Sequence, residues 1–266
     1  MKLAMSNIAW NDEHEYYYQV LHNNGFTGLE VAPTKFVDKP YDNLAVAKQI
    51  RLQLQAYCLS VVSMQSLLFG QNGLDLFGAK ESRDKLGEYL KKAIVYAETI
   101  GCKVLVFGNP KNRITSNIVT DYAIGLEFFN CLGEFAKQHN TCLCIEPNAK
   151  DYGTNFINTV DSAYQLVSNV ASDGFGMIID TGTMLLNKDE PELILMVLSK
   201  VKHIHISMPF LKPFNQDFSH YIDWFTRFIS IVKTSAYNEY LSIEMANASK
   251  DDIERSIELL SKLVRE

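Results

Sequence analysis

No stretch of this sequence stays apolar for the roughly 20 residues that a membrane-spanning helix needs. No run of lysine or arginine stands out either, and the formal net charge is −6. The first absence argues against a membrane protein. The second argues against a nucleic-acid partner, which favours a basic groove. It leaves an anionic small molecule open, because a few local cations suffice for one phosphate. Cysteine is scarce. Cys58, Cys102, Cys131, Cys142 and Cys144 are odd in number and form no CxxC pair. Cys142 and Cys144 stand two apart on one run, awkwardly placed to bridge each other, so reduced thiols and a cytoplasmic location are expected. The opening Met1-Lys2-Leu3-Ala4-Met5-Ser6-Asn7 has no signal-peptide apolar stretch and reads directly as a strand. After it, Ser6-Asn7-Ile8-Ala9-Trp10 offers no glycine-rich phosphate turn, which weakens the case for a doubly wound dinucleotide-type sheet.

What is there is an ordinary globular composition, 47% hydrophobic and 21% charged over 266 residues, enough for one large domain or two small ones. Short β-rich runs alternate with helical patterns throughout. The runs fall at 3–9, 26–32, 59–65, 103–107, 141–146, 176–180, 202–207 and 240–245. The helical patterns between and after them fall at 13–23, 43–57, 82–100, 116–139, 159–169, 190–199, 220–234 and 251–265. Eight strand–helix units with no linker between halves have the size of a (β/α)₈ TIM barrel, read as one domain over 1–266.

The most informative run is Val201-Lys202-His203-Ile204-His205-Ile206-Ser207. Side chains alternate across a strand, so His203, His205 and Ser207 share one face and Ile204 and Ile206 the other. Imidazoles turned inward and aliphatics outward suit a barrel lined by a polar site. In such barrels the chemistry collects at the carboxyl ends of the strands. Here four consecutive runs end in metal-competent groups: Glu146, Asp180, His205 and Glu244. Each lies in an otherwise apolar run, where a lone charge is costly to bury unless paired or bound to a cation. Together they suggest one divalent metal ion held by three carboxylates and an imidazole. An oxygen-rich set favours Mn²⁺, Mg²⁺ or Co²⁺, with zinc still open. His203, one step below, reads as a packed residue rather than a ligand. A hydrogen-bonded carboxylate cluster without metal is the plainer alternative, but it would need cations that Lys103 and Lys202, facing away, do not supply.

The order Glu146 (IEPN), Asp180 (IIDTG), His205 (HIHIS) and Glu244 (SIEM) resembles the sugar isomerase/epimerase group of xylose isomerase-like barrels. That group includes ketose 3-epimerases, hydroxypyruvate isomerase, inosose dehydratase and, more distantly, endonuclease IV. The stretches at 107–113 (FGNPKNR) and 64–70 (MQSLLFG) are similar to those of proteins called sugar phosphate isomerase/epimerase. The resemblance spans the chain and implies a xylose isomerase-like fold. It also implies proton transfer next to a carbonyl of a small-molecule sugar or sugar phosphate, through a metal-stabilised enediolate. Glu146 and Glu244 match the two metal-ligating glutamates that serve there as base and acid, while Asp180 and His205 hold the metal.

The sequence departs from the ketose epimerases where they grip substrate. Thr183 stands where they have a histidine, Tyr152 where they have a second glutamate, and Leu211 where they have an arginine. Candidate replacements are Lys111 and Arg113, which follow the fourth run and would suit a phosphate or carboxylate. Asn148 and Tyr152 would meet hydroxyls, Trp10 would form an apolar wall, and Gln65 and Glu30 would be polar liners. His220 reads as a surface residue. The same start, ending in loss of a β-hydroxyl, would make the chain a metal-dependent dehydratase of a polyol ketone. A hydrolase of abasic DNA would want more histidines and a basic face, and a non-catalytic sugar-binding barrel is the remaining rival. Assembly into a homo-oligomer stays open.

Overall fold

Eight parallel strands pair in sequence order and close on themselves, β8 returning to β1, in the computed structural model, which describes residues 1–265. They are β1 (Lys2–Ser6), β2 (Gly28–Val31), β3 (Ser60–Met64), β4 (Val104–Phe107), β5 (Cys142–Ile145), β6 (Phe175–Asp180), β7 (Val201–Ser207) and β8 (Tyr240–Glu244). Every residue of β2, β4, β5 and β6 is buried, which is why those stretches read as continuous apolar runs. This is the (β/α)₈ barrel that the alternation predicts.

The helices α1 (His14–Asn23), α2 (Leu44–Ala56), α3 (Lys80–Ile100), α4 (Ile118–Gln138) and α5 (Val160–Val170) follow the first five strands. Their ends obey local chemistry. Gly101, at φ 83°, terminates α3, and a Thr159–Ser162 capping box opens α5. The link from β6 to β7 departs from the expected single helix at 190–199. Instead α6 (Thr181–Asn187) begins directly after Asp180, and the remainder breaks into a 3₁₀ turn at Pro191–Leu193, one α-turn α7 (Ile194–Val197) and a second 3₁₀ turn at Leu198–Lys200. The Asp180 carboxylate accepts the Thr183 N–H at 2.6 Å and so caps a helix that its Thr-Gly-Thr opening would not propose. Then α8 (Phe218–Thr234) and α9 (Lys250–Arg265) complete the ring. The buried Ile253, Ser256, Ile257, Leu260 and Ser261 of α9 recur every three or four residues, as one helix face requires.

The barrel interior has two halves. Val104, Val106, Cys142, Cys144 and Ile178 form an apolar cluster of their own, apart from the main core between strands and helices. Opposite them, Glu30 on β2, Ser63 on β3, His203 and His205 on β7 and Ser242 on β8 bond one another between strands that are not neighbours, so their side chains cross the lumen. Two register shifts set up that polar half. Pairing steps from Leu29↔Val61 to Glu30↔Ser63, and from Met177↔Val201 to Ile178↔His203. Val62 and Lys202 are therefore extra residues that bulge their strands low in the barrel. All five cysteines are free thiols, with the sulfurs of Cys142 and Cys144 3.7 Å apart. Among the described residues no helix is long and apolar enough to cross a membrane.

Candidate metal centre

Glu146 is the residue after β5, Asp180 and Glu244 are the last residues of β6 and β8, and His205 lies two residues from the end of β7. One ligand-type atom from each of the four lies within 4.8 Å of the others. The imidazole Nδ1 of His205 is 3.1 Å from Glu146 Oε1 and 3.1 Å from Glu244 Oε2. Asp180 is held from outside the cluster, its Oδ2 accepting the Ser207 hydroxyl at 2.5 Å and its Oδ1 the Thr183 N–H. The four side chains anticipated from the sequence thus converge on one point, all of them buried.

The electrostatics of that point are strained. Burial, reinforced by the charges of Glu146 and Asp180 and opposed by His205, pushes the Glu244 carboxyl up to about 7. Asp180 is raised for the same reasons, burial first and then Glu146. Burial works against the His205 imidazolium, yet Glu244 and Glu30 hold its pKa well above the ordinary value. Three acids meeting in a desolvated pocket repel one another and call for positive charge. The buried guanidinium of Arg113 feels the Glu146 charge, but its hydrogen bonds go elsewhere. Its Nη2 donates to the Glu146 backbone carbonyl at 2.6 Å and to Asn148 Oδ1. Three carboxylates and one imidazole nitrogen are a donor set that suits a divalent cation.

The cluster forms the floor of an open cavity of about 310 Å³. Gln65, Asn109, Asn148 and Tyr152 give it polar walls; Phe69, Val106, Pro110 and Leu211 give it apolar ones. Gly108 leaves room for Glu146, since a β-carbon there would stand 1.9 Å from Oε2. On one wall Phe210 (φ 61°) and Leu211 (φ 54°) are consecutive left-handed residues. The Phe210 N–H donates to the Tyr152 hydroxyl at 2.9 Å, and the two rings meet edge to face at 5.7 Å.

Of the anticipated substrate contacts, Gln65, Asn148 and Tyr152 line the cavity. Three others do not. Trp10 is buried, stacked on Tyr17 and donating from Nε1 to His14 Nδ1 at 2.9 Å. Lys111 is exposed on a 3₁₀ turn beyond the rim, and Arg113 is wholly buried beneath the end of β5. A loop cation looks the same in sequence whether it turns to the pocket or to the core. Glu30, read as a liner, lies fully buried beneath the cluster, where its Oε1 is 2.9 Å from His205 Nε2. Its signal in the sequence, an acid inside an apolar run, is the one that marked Glu146 and Asp180. Gly108, Asn109, Ser66 and Phe69 carry no such mark; they lie in the family-like stretches 107–113 and 64–70, and the geometry places them at the cavity.

A closed parallel barrel with buried candidate metal ligands gathered at the carboxyl ends of its strands defines the class of protein. The chain belongs to the family described as Xylose isomerase-like TIM barrel, whose profile matches residues 18–263. No curated protein sequence matches it. Among solved structures it is similar to 3-keto-D-glucoside 4-epimerase from E. coli, with a TM-score of 0.80, 16% identity and 100% of both chains covered. It is similar to D-psicose 3-epimerase from Clostridium cellulolyticum, with a TM-score of 0.82 and 13% identity, covering 100% of this chain and 98% of that one. It is similar too to IolI, a structure with a bound zinc atom, with a TM-score of 0.70 and 16% identity, covering 100% and 95%. At these identities the likeness is one of fold.

Proposed function

We propose that this protein is a metal-dependent isomerase or epimerase of an uncharged sugar, moving a proton at a carbon next to a carbonyl. The single observation that carries the reading is the convergence of Glu146, Asp180, His205 and Glu244 on one point at the floor of a sugar-sized cavity. A divalent cation held by these four side chains would supply the positive charge that makes a C–H beside a carbonyl acidic enough to ionise. The protein's own part is proton handling and grip. Glu146 and Glu244 reach the site from β5 and β8, three strands apart around an eight-stranded barrel, and so flank a substrate on the floor. One, ionised, removes the proton and the other, protonated, delivers its own to the opposite face. Gln65, Asn109, Asn148 and Tyr152 offer amides and a phenol to hydroxyls, while Phe69, Val106, Pro110 and Leu211 cover the C–H face and keep water out.

The sugar is read as unphosphorylated because no lysine or arginine among the described residues lines the cavity, Arg113 being buried under the β5 end and Lys111 lying outside. A phosphate there would face three acids with no cationic side chain to meet it. The test is to load purified protein with Mn²⁺, Co²⁺, Mg²⁺ or Zn²⁺ and follow free ketoses and their phosphates by NMR in deuterated water. Deuterium entering next to the carbonyl of a free ketose, with its epimer or isomer as product, is the expected result. Loss of water from the substrate would make the protein a dehydratase. No exchange on any sugar, by protein that binds metal, would leave a binding barrel.

A further inference from the structure

Below the four-residue cluster lies a second buried group that the proposed reaction does not use. Glu30 is wholly shielded from solvent, as are Ser63, His205 and Ser242, and His203 is 1% exposed. Glu30 Oε1 is 2.9 Å from His205 Nε2, and Glu30 Oε2 accepts the Ser242 hydroxyl at 2.9 Å. His203 Nε2 stands 3.5 Å from Glu30 Oε1 and 3.1 Å from Ser63 Oγ, its ring edge-on to that of His205 at 5.2 Å. The bulge at Val62 sets Glu30 opposite Ser63 and so keeps this column in register.

A buried carboxylate is costly, and similar-sized apolar residues often replace such groups without loss of stability. Packing alone therefore does not account for Glu30. Imidazole has two nitrogens, and which one carries the hydrogen is set by the partner of the other. The Glu30 carboxylate at 2.9 Å holds a hydrogen on Nε2, so that when a divalent cation displaces the Nδ1 hydrogen the freed lone pair faces the gap between Glu146 and Glu244. With the opposite tautomer, a hydrogen would occupy the centre of the cluster and Nε2 would point a lone pair at a carboxylate. We propose that Glu30 is a positioning residue that aims His205 Nδ1 into the cation site, with Ser242 and His203 holding Glu30 and Ser63 holding His203 in turn. The same three residues, Glu30, His203 and His205, also lie close enough to take a cation of their own. The positioning role differs from that alternative in predicting one ion per chain.

The inference rests on the cation-dependent reading above, and the experiment separates the two. Mn²⁺ is titrated calorimetrically into the metal-free wild type, Glu30→Gln and Ser242→Ala. The His205 nitrogen-15 resonances of the zinc-loaded proteins are then recorded. Wild type should bind one ion per chain and show a protonated Nε2 with a metal-shifted Nδ1. Glu30→Gln should bind about 10- to 100-fold more weakly, as loss of a carboxylate behind a histidine ligand does elsewhere. Its His205 pattern should be mixed or reversed, a change that a general loss of packing would not produce. Ser242→Ala, which leaves the Glu30–His205 bond in place, should weaken binding by about 3- to 10-fold. It also covers the case in which Glu30→Gln fails to fold. Equal affinity and an unchanged tautomer in both variants, or two ions per wild-type chain, would overturn the inference while leaving the cation site standing. A wild type that binds no divalent cation would sink both.

Discussion

Replacing Gly108 by alanine is the sharpest steric test of the site. A β-carbon built on Gly108 would lie 1.9 Å from Glu146 Oε2, whereas real contacts of that kind essentially never fall below 3.0 Å. The backbone at 108 lies outside the left-handed region, so alanine costs nothing there conformationally. The conflict falls on the flexible end of Glu146, which must retreat by about 1.1 Å, several times the roughly 0.2 Å tolerance of a metal–oxygen bond. The open cavity gives the carboxylate somewhere to go, so the barrel should survive with a stability loss on the order of 1 kcal/mol, or a few degrees in Tm. Cation affinity should fall by at least about 100-fold, beyond the usual loss of an outer hydrogen bond. The assay pairs a thermal melt by circular dichroism with calorimetric titration of Mn²⁺. A Gly108→Ala protein that melts like wild type and binds Mn²⁺ equally well would refute the reasoning, because Glu146 would then not be a ligand.

Glu146→Gln and Glu244→Gln should each lower C–H exchange by about 10²- to 10⁴-fold with the fold intact by circular dichroism; an unchanged rate in either removes the two-carboxylate mechanism. In metal-free protein Glu244, Asp180 and His205 all have pKa values above their ordinary ones. The stability each contributes is present at low pH and lost as pH rises through the folded value. The Tm of metal-free protein should therefore fall between about pH 5 and pH 8, and added Mn²⁺ should recover more at pH 8; a rising Tm without metal reverses the sign and defeats the account. Because Glu244, near pH 7, and His205 must each give up a proton to the cation, Mn²⁺ affinity should drop by more than about tenfold per unit below pH 7, read by titration at several pH values. Tyr152→Phe removes the hydroxyl that accepts the Phe210 N–H and should raise KM by about 3- to 10-fold with kcat nearly unchanged.

The barrel is legible because its strands are buried on both faces, so each run of Val, Ile, Leu and Met stands out against amphipathic helices. The metal candidates are legible for a related reason. A charge closing an apolar run, as Glu146, Asp180 and Glu244 do, has few physical explanations. What escapes the sequence depends on direction and distance. Thr181–Asn187 is a poor helix former that becomes helical because Asp180, already turned to cap it, supplies the missing acceptor. Arg113 reads as a loop cation, but its guanidinium turns inward to the Glu146 carbonyl, a contact across 33 positions of chain. The Glu30–His205 contact spans 175 positions and depends on the bulge at Val62, which no local pattern marks.

The consecutive left-handed residues Phe210 and Leu211 have a consequence for any attempt to re-engineer this mouth. Backbone of that hand costs an ordinary side chain roughly 1–2 kcal/mol per residue, so the wall segment is held under tension by its neighbours, Tyr152 among them. Grafting an arginine at 211 would set it on a main chain already bent for leucine, and the new fork would not inherit the reach it has on a relaxed loop. Specificity on that side is thus written into the path of the chain as much as into its side chains, and changing it calls for transplanting the whole turn.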